Sequence, residues 1–285
     1  MAKSNMELQI AALHVDHYGG AGAPLLFIHG WGMHSGMWGG VLEKLAEQFM
    51  VSAVDMPGHG YSAGSGKLKM DRGKCADLHT HHLPPATDCL DTIVDKLSIQ
   101  FSGPLTVCGW SLGGQVALRF AMKYPERVNR LVLISSTPCF VQRADWSCAM
   151  AGQTLSDFAA ALQQDYSATL RRFLALQVRG SEQERELLLA LRRSLMSRGE
   201  PDLAALQAGL EMLNDADLRA ALPEICKKTL VIAGDRDTLT PLAASQYMVG
   251  QMPGARLATI AGAAHAPFLS HPEEFVKRMM EFLHE

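Results

Sequence analysis

The strongest constraint on this chain is a set of short apolar runs that carry no polar alternation. PLLFIH (24–29), LTVCG (105–109) and TLVIAG (229–234) are of this kind. A strand with one face in water alternates apolar and polar residues, whereas a strand covered on both faces need not. Further runs at Leu8–Val15, Val51–Asp55, Arg130–Ser135 and Arg256–Ala261 complete a series of predicted strands. Helical patterns at Met37–Gln48, Thr87–Gln100, Leu112–Tyr124 and Pro272–His284 are interleaved with them. Strand alternating with helix predicts an α/β chain with a mostly parallel, doubly wound sheet. The last helix carries its own start signal: Ser270-x-x-Glu273 is a capping box, with Pro272 in the first turn.

The alternation stops between about 141 and 221, where Leu, Ala, Gln and Arg dominate and strand formers are few. This predicts a helical cap at 141–221, inserted into a core made of 1–140 and 222–285. The stretch from Ala63 to Pro85 is polar, broken by Gly and Pro, and predicted to be a surface loop. Its His79, His81 and His82, with Cys75 and Cys89 nearby, lack the spacing of a structural zinc site, so no metal is expected. The six cysteines include no C-x-x-C pair and suggest no disulfide framework. A reducing, cytoplasmic setting follows. The start of the chain has no apolar signal core, and no apolar run is long enough to span a membrane. A net charge of −3 leaves no global basic field for nucleic acid. A monomer without cofactor is the expectation.

One strand run leads straight into GWSLGG (109–114), followed by a helical pattern. G-x-S-x-G between a strand and a helix is a turn that can hold one hydroxyl in a strained, exposed position. The bland alternative is an ordinary Gly-rich turn. Ser111 needs a base, and the base needs an orienting acid. For such a turn the partners follow in the order Ser, Asp or Glu, His. GDRDTLTP (234–241) and GAAHAPF (262–268) each follow a predicted strand. Asp237 lies farther into its loop than Asp235 and is favoured as the acid, with Asp235 left to cap the turn. His265 is favoured as the base over His271, which opens the last helix. The second oxyanion donor is placed in FIHGWG (27–32), so the N–H groups of Trp31 and Leu112 form the expected oxyanion site. Each such donor is worth roughly 3 kcal/mol in the transition state.

Taken together, HGWG, DMPGHGYS, GWSLGG, GDRDTLTP and GAAHAPF resemble the α/β-hydrolase superfamily over nearly the whole chain. Within it, LLFIHGWGMHSGMW, SSTPCF, RRFLALQVRG, GLEMLNDADLR and AAHAPFLSHPEEF resemble the carboxylesterases of biotin synthesis. The resemblance implies hydrolysis of a methyl ester on a pimeloyl chain bound to acyl carrier protein, releasing methanol. It implies Ser111 as nucleophile, Asp237 as orienting acid and His265 as general base. It further implies that Phe173, Leu174, Ala175, Leu176 and Gln177 contact the acyl chain from the cap. The cap arginines Arg171, Arg172, Arg179, Arg185, Arg192, Arg193 and Arg198 suit docking of an acidic carrier protein. Against this, arginines on exposed helix faces are often simply solvated, and Glu182, Glu184 and Glu186 offset part of the charge. Three other readings stay open. One is a general short-chain esterase or lipase without carrier specificity. A second is a binding module that keeps the fold without turnover, and a third is a carbon–carbon bond hydrolase using the same residues.

Overall fold

A computed structural model describes residues 12–63, 86–181 and 183–285. The expected loop with Cys75, His79, His81 and His82, the start of the Leu8–Val15 run, and Glu182 lie outside the described residues.

Among the described residues the sheet has seven strands: β1 Val15–Gly19, β2 Pro24–Ile28, β3 Met50–Val54, β4 Leu105–Trp110, β5 Val128–Ile134, β6 Lys228–Gly234 and β7 Ala255–Ile260. Their order is β1-β3-β2-β4-β5-β6-β7. All neighbours are parallel except β1 and β3. The doubly wound prediction holds, and its reason is visible in the burial. Phe27, Ile28, Val107, Cys108, Leu131, Val132, Val231 and Ile232 are fully buried, as expected for inner strands with helices on both faces. The edge strand β7 mixes exposed and half-buried residues. The first strand among the described residues begins at Val15, the last residue of the run expected at Leu8–Val15, and Ala12–His14 before it are not in strand.

Helices α1 Val41–Ala46, α2 Ala86–Gln100, α3 Leu112–Lys123, α8 Leu242–Gln251, α9 Pro267–Ser270 and α10 Pro272–Leu283 accompany the strands. The expected Met37–Gln48 helix is interrupted. Ser35–Trp38 form a 3-10 turn, and Gly39, at φ 62°, breaks the chain before α1. The capping box at the last helix does not form. His271 occupies the N-cap, while Ser270 ends the short α9 and its hydroxyl donates to Ala266 O at 3.4 Å. Pro272 does open the last helix, which buries Phe275, Met279, Phe282 and Leu283.

Between β5 and β6 the chain forms α4 Gly152–Gln164, α5 Tyr166–Val178, α6 Glu184–Met196 and α7 Leu203–Asp215. No helix among the described residues is long and apolar enough to cross a membrane.

The strand order reverses at β2: the chain leaves it for β3 on one side and returns to β4 on the other. Ile28 is in register with Gly109, so the loops after these two strands emerge side by side. Open α/β sheets place their ligands at such a switch point, beyond the carboxyl ends of the strands.

Candidate active site

Ser111 stands between β4 and α3 at φ 55°, ψ −118°, a backbone state that costs on the order of 1–3 kcal/mol for a residue with a Cβ. The surroundings hold it there. The Ser111 N–H donates to Ile134 O at 3.0 Å, and the hydroxyl of Ser136 donates to Ser111 O at 2.8 Å. The neighbouring glycines are needed for close approach. A Cβ on Gly113 would lie 2.2 Å from Ile28 O, and one on Gly109 2.2 Å from Gly113 O. The bland reading of GWSLGG as an ordinary turn does not account for a strained serine at a helix start.

His265 follows β7, and its Nδ1 lies 2.8 Å from Asp237 Oδ2. The Asp237 loop folds back on its own carboxylate. Oδ1 accepts from Leu239 N at 2.8 Å and Thr240 N at 3.0 Å, and Oδ2 accepts from the Thr240 hydroxyl at 2.7 Å. Burial pushes this carboxyl up, but the charge and hydrogen bond of His265 and the two Thr240 bonds outweigh it, leaving Asp237 below the usual carboxylate range. An ionised Asp237 accepts a hydrogen bond from Nδ1–H of His265. The other ring nitrogen, Nε2, is buried and has no hydrogen-bond partner among the described residues. The indole N–H of Trp110 donates to His265 O at 2.9 Å and fixes the backbone that carries the ring.

The rivals sit elsewhere. Asp235 accepts from Gly262 N at 2.7 Å and so shapes the turn before His265. His271 is half-buried, pairs with the Ser270 hydroxyl at 2.9 Å and stands at the N-cap position of the last helix without a side-chain capping bond.

The loop after β2 is built around His29. Its Nε2 accepts from Met56 N at 2.9 Å, so Nδ1 carries the proton and donates to Gly30 O at 2.8 Å. Burial, then the nearby His59 ring, holds this imidazole well below its ordinary pKa and hence neutral. Gly30 packs directly on the serine: a Cβ there would sit 3.3 Å from Ser111 Cβ. Trp31 follows Gly30 in the chain, and Leu112, directly after Ser111, begins α3.

Helices α4, α5 and α7 lie over Trp31, which is only 1% exposed. Its indole N–H donates to Leu206 O at 2.8 Å, and its ring meets Phe173 at 4.8 Å and Phe158 at 5.4 Å, edge to face. Of the five expected acyl contacts, Phe173 reaches this cluster. Leu174 and Gln177 are buried within the helical layer, where the Gln177 amide donates to Phe173 O at 3.2 Å. Ala175 and Leu176 are half-buried. A small apolar cavity of about 30 Å³ borders the Leu112 side chain, walled by Met56, Ile93, Gly209 and Met212.

Arg171, Arg172, Arg179 and Arg185 are exposed, and Arg171 donates to the Ser167 hydroxyl at 2.7 Å. Arg198 departs from the expected arginine surface: it is drawn inward to Asp16 and Asp55. Sequence reasoning also missed Gly209, Leu206, Trp110 and Thr240. Gly209 left a signal, being an isolated glycine inside a helical pattern. A Cβ on it would fall 2.5 Å from Trp31 Cδ1.

A model of the α/β hydrolase fold matches residues 23–272. The chain belongs to the α/β hydrolase family. Its relatives include a pimeloyl-acyl-carrier protein methyl ester esterase of Nitrosomonas europaea, 44% identical over 94% of this chain and 98% of that protein. The esterase of the same name from Nitrosospira multiformis is 39% identical over 95% of this chain and 98% of its own. At that identity and coverage the chain belongs to the family of these esterases. Among solved α/β hydrolase folds, the esterase EaEST from Exiguobacterium antarcticum superposes with a TM-score of 0.80 at 22% identity, covering 97% of this chain and 98% of its own. A bromoperoxidase from Bacillus anthracis gives 0.79 at 20% identity, covering 96% and 95%. Such different names at low identity speak for the fold alone.

Proposed function

We propose that this α/β hydrolase is a serine carboxylesterase that cleaves the methyl ester of pimeloyl-acyl carrier protein, yielding free pimeloyl-carrier protein and methanol. The observation that carries the chemistry is the 2.8 Å pair of His265 with a buried Asp237, at the strand ends that also present the strained Ser111. The relatives' shared name supports the substrate.

His265 Nε2 takes the Ser111 hydroxyl proton as Oγ attacks the ester carbonyl. The carbonyl oxygen becomes an oxyanion held by the Trp31 and Leu112 N–H groups, at the N-terminus of α3. Asp237 stabilises the imidazolium. The proton passes from His265 to the methoxy oxygen, and methanol leaves an acyl-Ser111. Water, deprotonated by His265, attacks the acyl carbonyl, and Ser111 recovers its proton. His265 must be neutral at the start, so the rate falls on acidification.

Residues 141–221 serve as a cap over this site. Phe173 meets the acyl chain beside Trp31, and Leu174, Ala175, Leu176 and Gln177 shape the same wall. Arg171, Arg172, Arg179 and Arg185 offer the acidic carrier protein an exposed basic surface. The protein acts in the cytoplasm as a monomer. The deciding experiment compares methyl pimeloyl-carrier protein with a short p-nitrophenyl ester, in wild type, Ser111→Ala and a variant with the four arginines changed to Ser. Loss of turnover in Ser111→Ala, and loss on the carrier-bound ester alone in the arginine variant, support the reading. Cleavage of small esters with the carrier-bound ester left intact sinks it in favour of a general esterase.

A further inference from the structure

Arg198 lies just past α6 and stands out from the other cap arginines because its side chain is only 13% exposed. Its guanidinium donates to Asp16 Oδ2 at 2.5 Å, to the Ser35 hydroxyl at 2.7 Å and to Asp55 Oδ2 at 3.3 Å. The Tyr61 ring lies against it, 4.8 Å from its centre. Asp55 is fully buried, with Oδ1 accepting from Ser35 N at 2.6 Å and Oδ2 from Tyr61 N at 2.8 Å. Burial pushes the Asp55 carboxyl up, yet the Ser35 hydrogen bonds and the neighbouring groups keep it below its ordinary value. It is therefore a charge, and Arg198 is its counter-charge.

The same end of α6 grips the adjoining loop twice more. His34 Nε2 donates to Ser194 O at 2.9 Å, and the Ser194 hydroxyl donates to Gly36 O at 3.1 Å. His34 and Ser35 continue the loop that begins at His29, and Met33 N closes it on Gly30 O at 3.2 Å. Asp55 reaches that loop from its other end too: the next residue, Met56, gives its N–H to His29 Nε2 at 2.9 Å. The loop carrying Trp31 is thus held at both ends by a frame whose only contribution from the cap's charged groups, among the described residues, is Arg198.

We propose that Arg198 is a positioning residue, locking the end of α6 onto residues 29–36 and so setting where the Trp31 N–H meets the oxyanion. This rests on the reading of Trp31 as an oxyanion donor. A merely structural arginine would affect melting and leave turnover of the folded enzyme intact. A positioning arginine acts on kcat, because the loop's placement matters most in the transition state.

The test uses the full chain with Arg198→Gln and Arg198→Lys. It reads kcat and KM on p-nitrophenyl butyrate, and amide exchange of the 29–36 peptide by mass spectrometry. Arg198→Gln is expected to lower kcat by about 10- to 100-fold, the scale of a small misplacement of catalytic groups. KM should move by less than about threefold, since ground-state binding is largely spared. Exchange across 29–36 should accelerate. Arg198→Lys keeps the charge without the fork, so it should recover part of kcat. Should Arg198→Gln not fold, Ser194→Ala removes one grip on Gly36 and is expected to give the same pattern at about two- to fivefold. Exchange that rises in α6 while 29–36 stays unchanged overturns the coupling. Faster exchange in 29–36 with kcat held within about twofold also overturns the proposal, by removing the oxyanion role of Trp31 instead.

Discussion

At the sheet ends, Asp237 is held by N–H groups two and three residues along its own loop, and Ser111 by the adjacent strand. Above them, α7 is tied to the site by Trp31 across 175 residues of sequence, and the end of α6 by Arg198 across 182. The first kind of contact forms wherever the local motif and the sheet form. The second requires that the whole chain has already folded. The backbone of each reacting group is therefore held by short-range parts, while their mutual alignment and the access to them depend on long-range ones.

Changes to the short-range parts should remove turnover while leaving the fold in place. Ser111→Ala is expected to lower kcat by on the order of 10⁶ on carrier-bound and small esters alike, with an unchanged melting temperature. A variant that retains more than a hundredth of wild-type kcat would break this side of the comparison. Asp237→Asn should cost about 10⁴ in kcat, because the amide presents a donor where His265 Nδ1 needs an acceptor. Asp235→Ala makes the contrast sharp: it loses the bond to Gly262 N, about 1 kcal/mol of stability, and less than about tenfold in kcat. Equal kinetic losses at 235 and 237 would show that the wrong carboxylate carries the role.

Changes to the α7 contacts, unlike those at Arg198, should act on stability and substrate access together. Gly209→Ala drives a methyl into the Trp31 ring and should destabilise by about 1–3 kcal/mol, with KM rising more than kcat falls. Trp31→Phe keeps most of the ring contact but loses the bond to Leu206 O, about 1 kcal/mol by chemical denaturation. If kcat rather than KM takes the larger loss in both, α7 belongs with the catalytic parts and the division fails.

The smallest expected effect is in acid. Asp237 has a folded pKa below its unfolded value, so its contribution to stability is complete above about pH 3.9 and disappears as pH falls through the folded value. Urea melts of Asp237→Asn should therefore lose less stability between neutral pH and pH 3 than those of wild type. Parallel losses would mean that the Asp237–His265 pair is not formed in the folded protein.

Most strands were legible because burial on both faces leaves an uninterrupted apolar run, and the ends found from sequence at β2, β3, β4 and β6 lie within a residue of those observed. The described strand Val15–Gly19 was not, because VDHYG carries no apolar run and its residues are only half-buried or exposed. The capping box failed because Ser270 was already spent as the last residue of α9. Arg198 looked like its neighbours because charge alone does not say which way a side chain points. Its inward turn depends on Asp16 and Asp55, which the sheet brings to one place.

The sequence by itself determined the α/β architecture, the strand-to-helix turn that carries Ser111 and the chain order of serine, acid and histidine, with Asp235 and Asp237 both open as the acid. These depend on local steric rules, on apolar periodicity and on loops that leave strand ends. Only the tertiary structure decided that Asp235 braces a turn and Asp237 meets His265. It also decided that Trp31 lies beneath Gly209 and that Arg198 faces the interior. Each of those is a distance between atoms far apart in the chain, set when register and packing close.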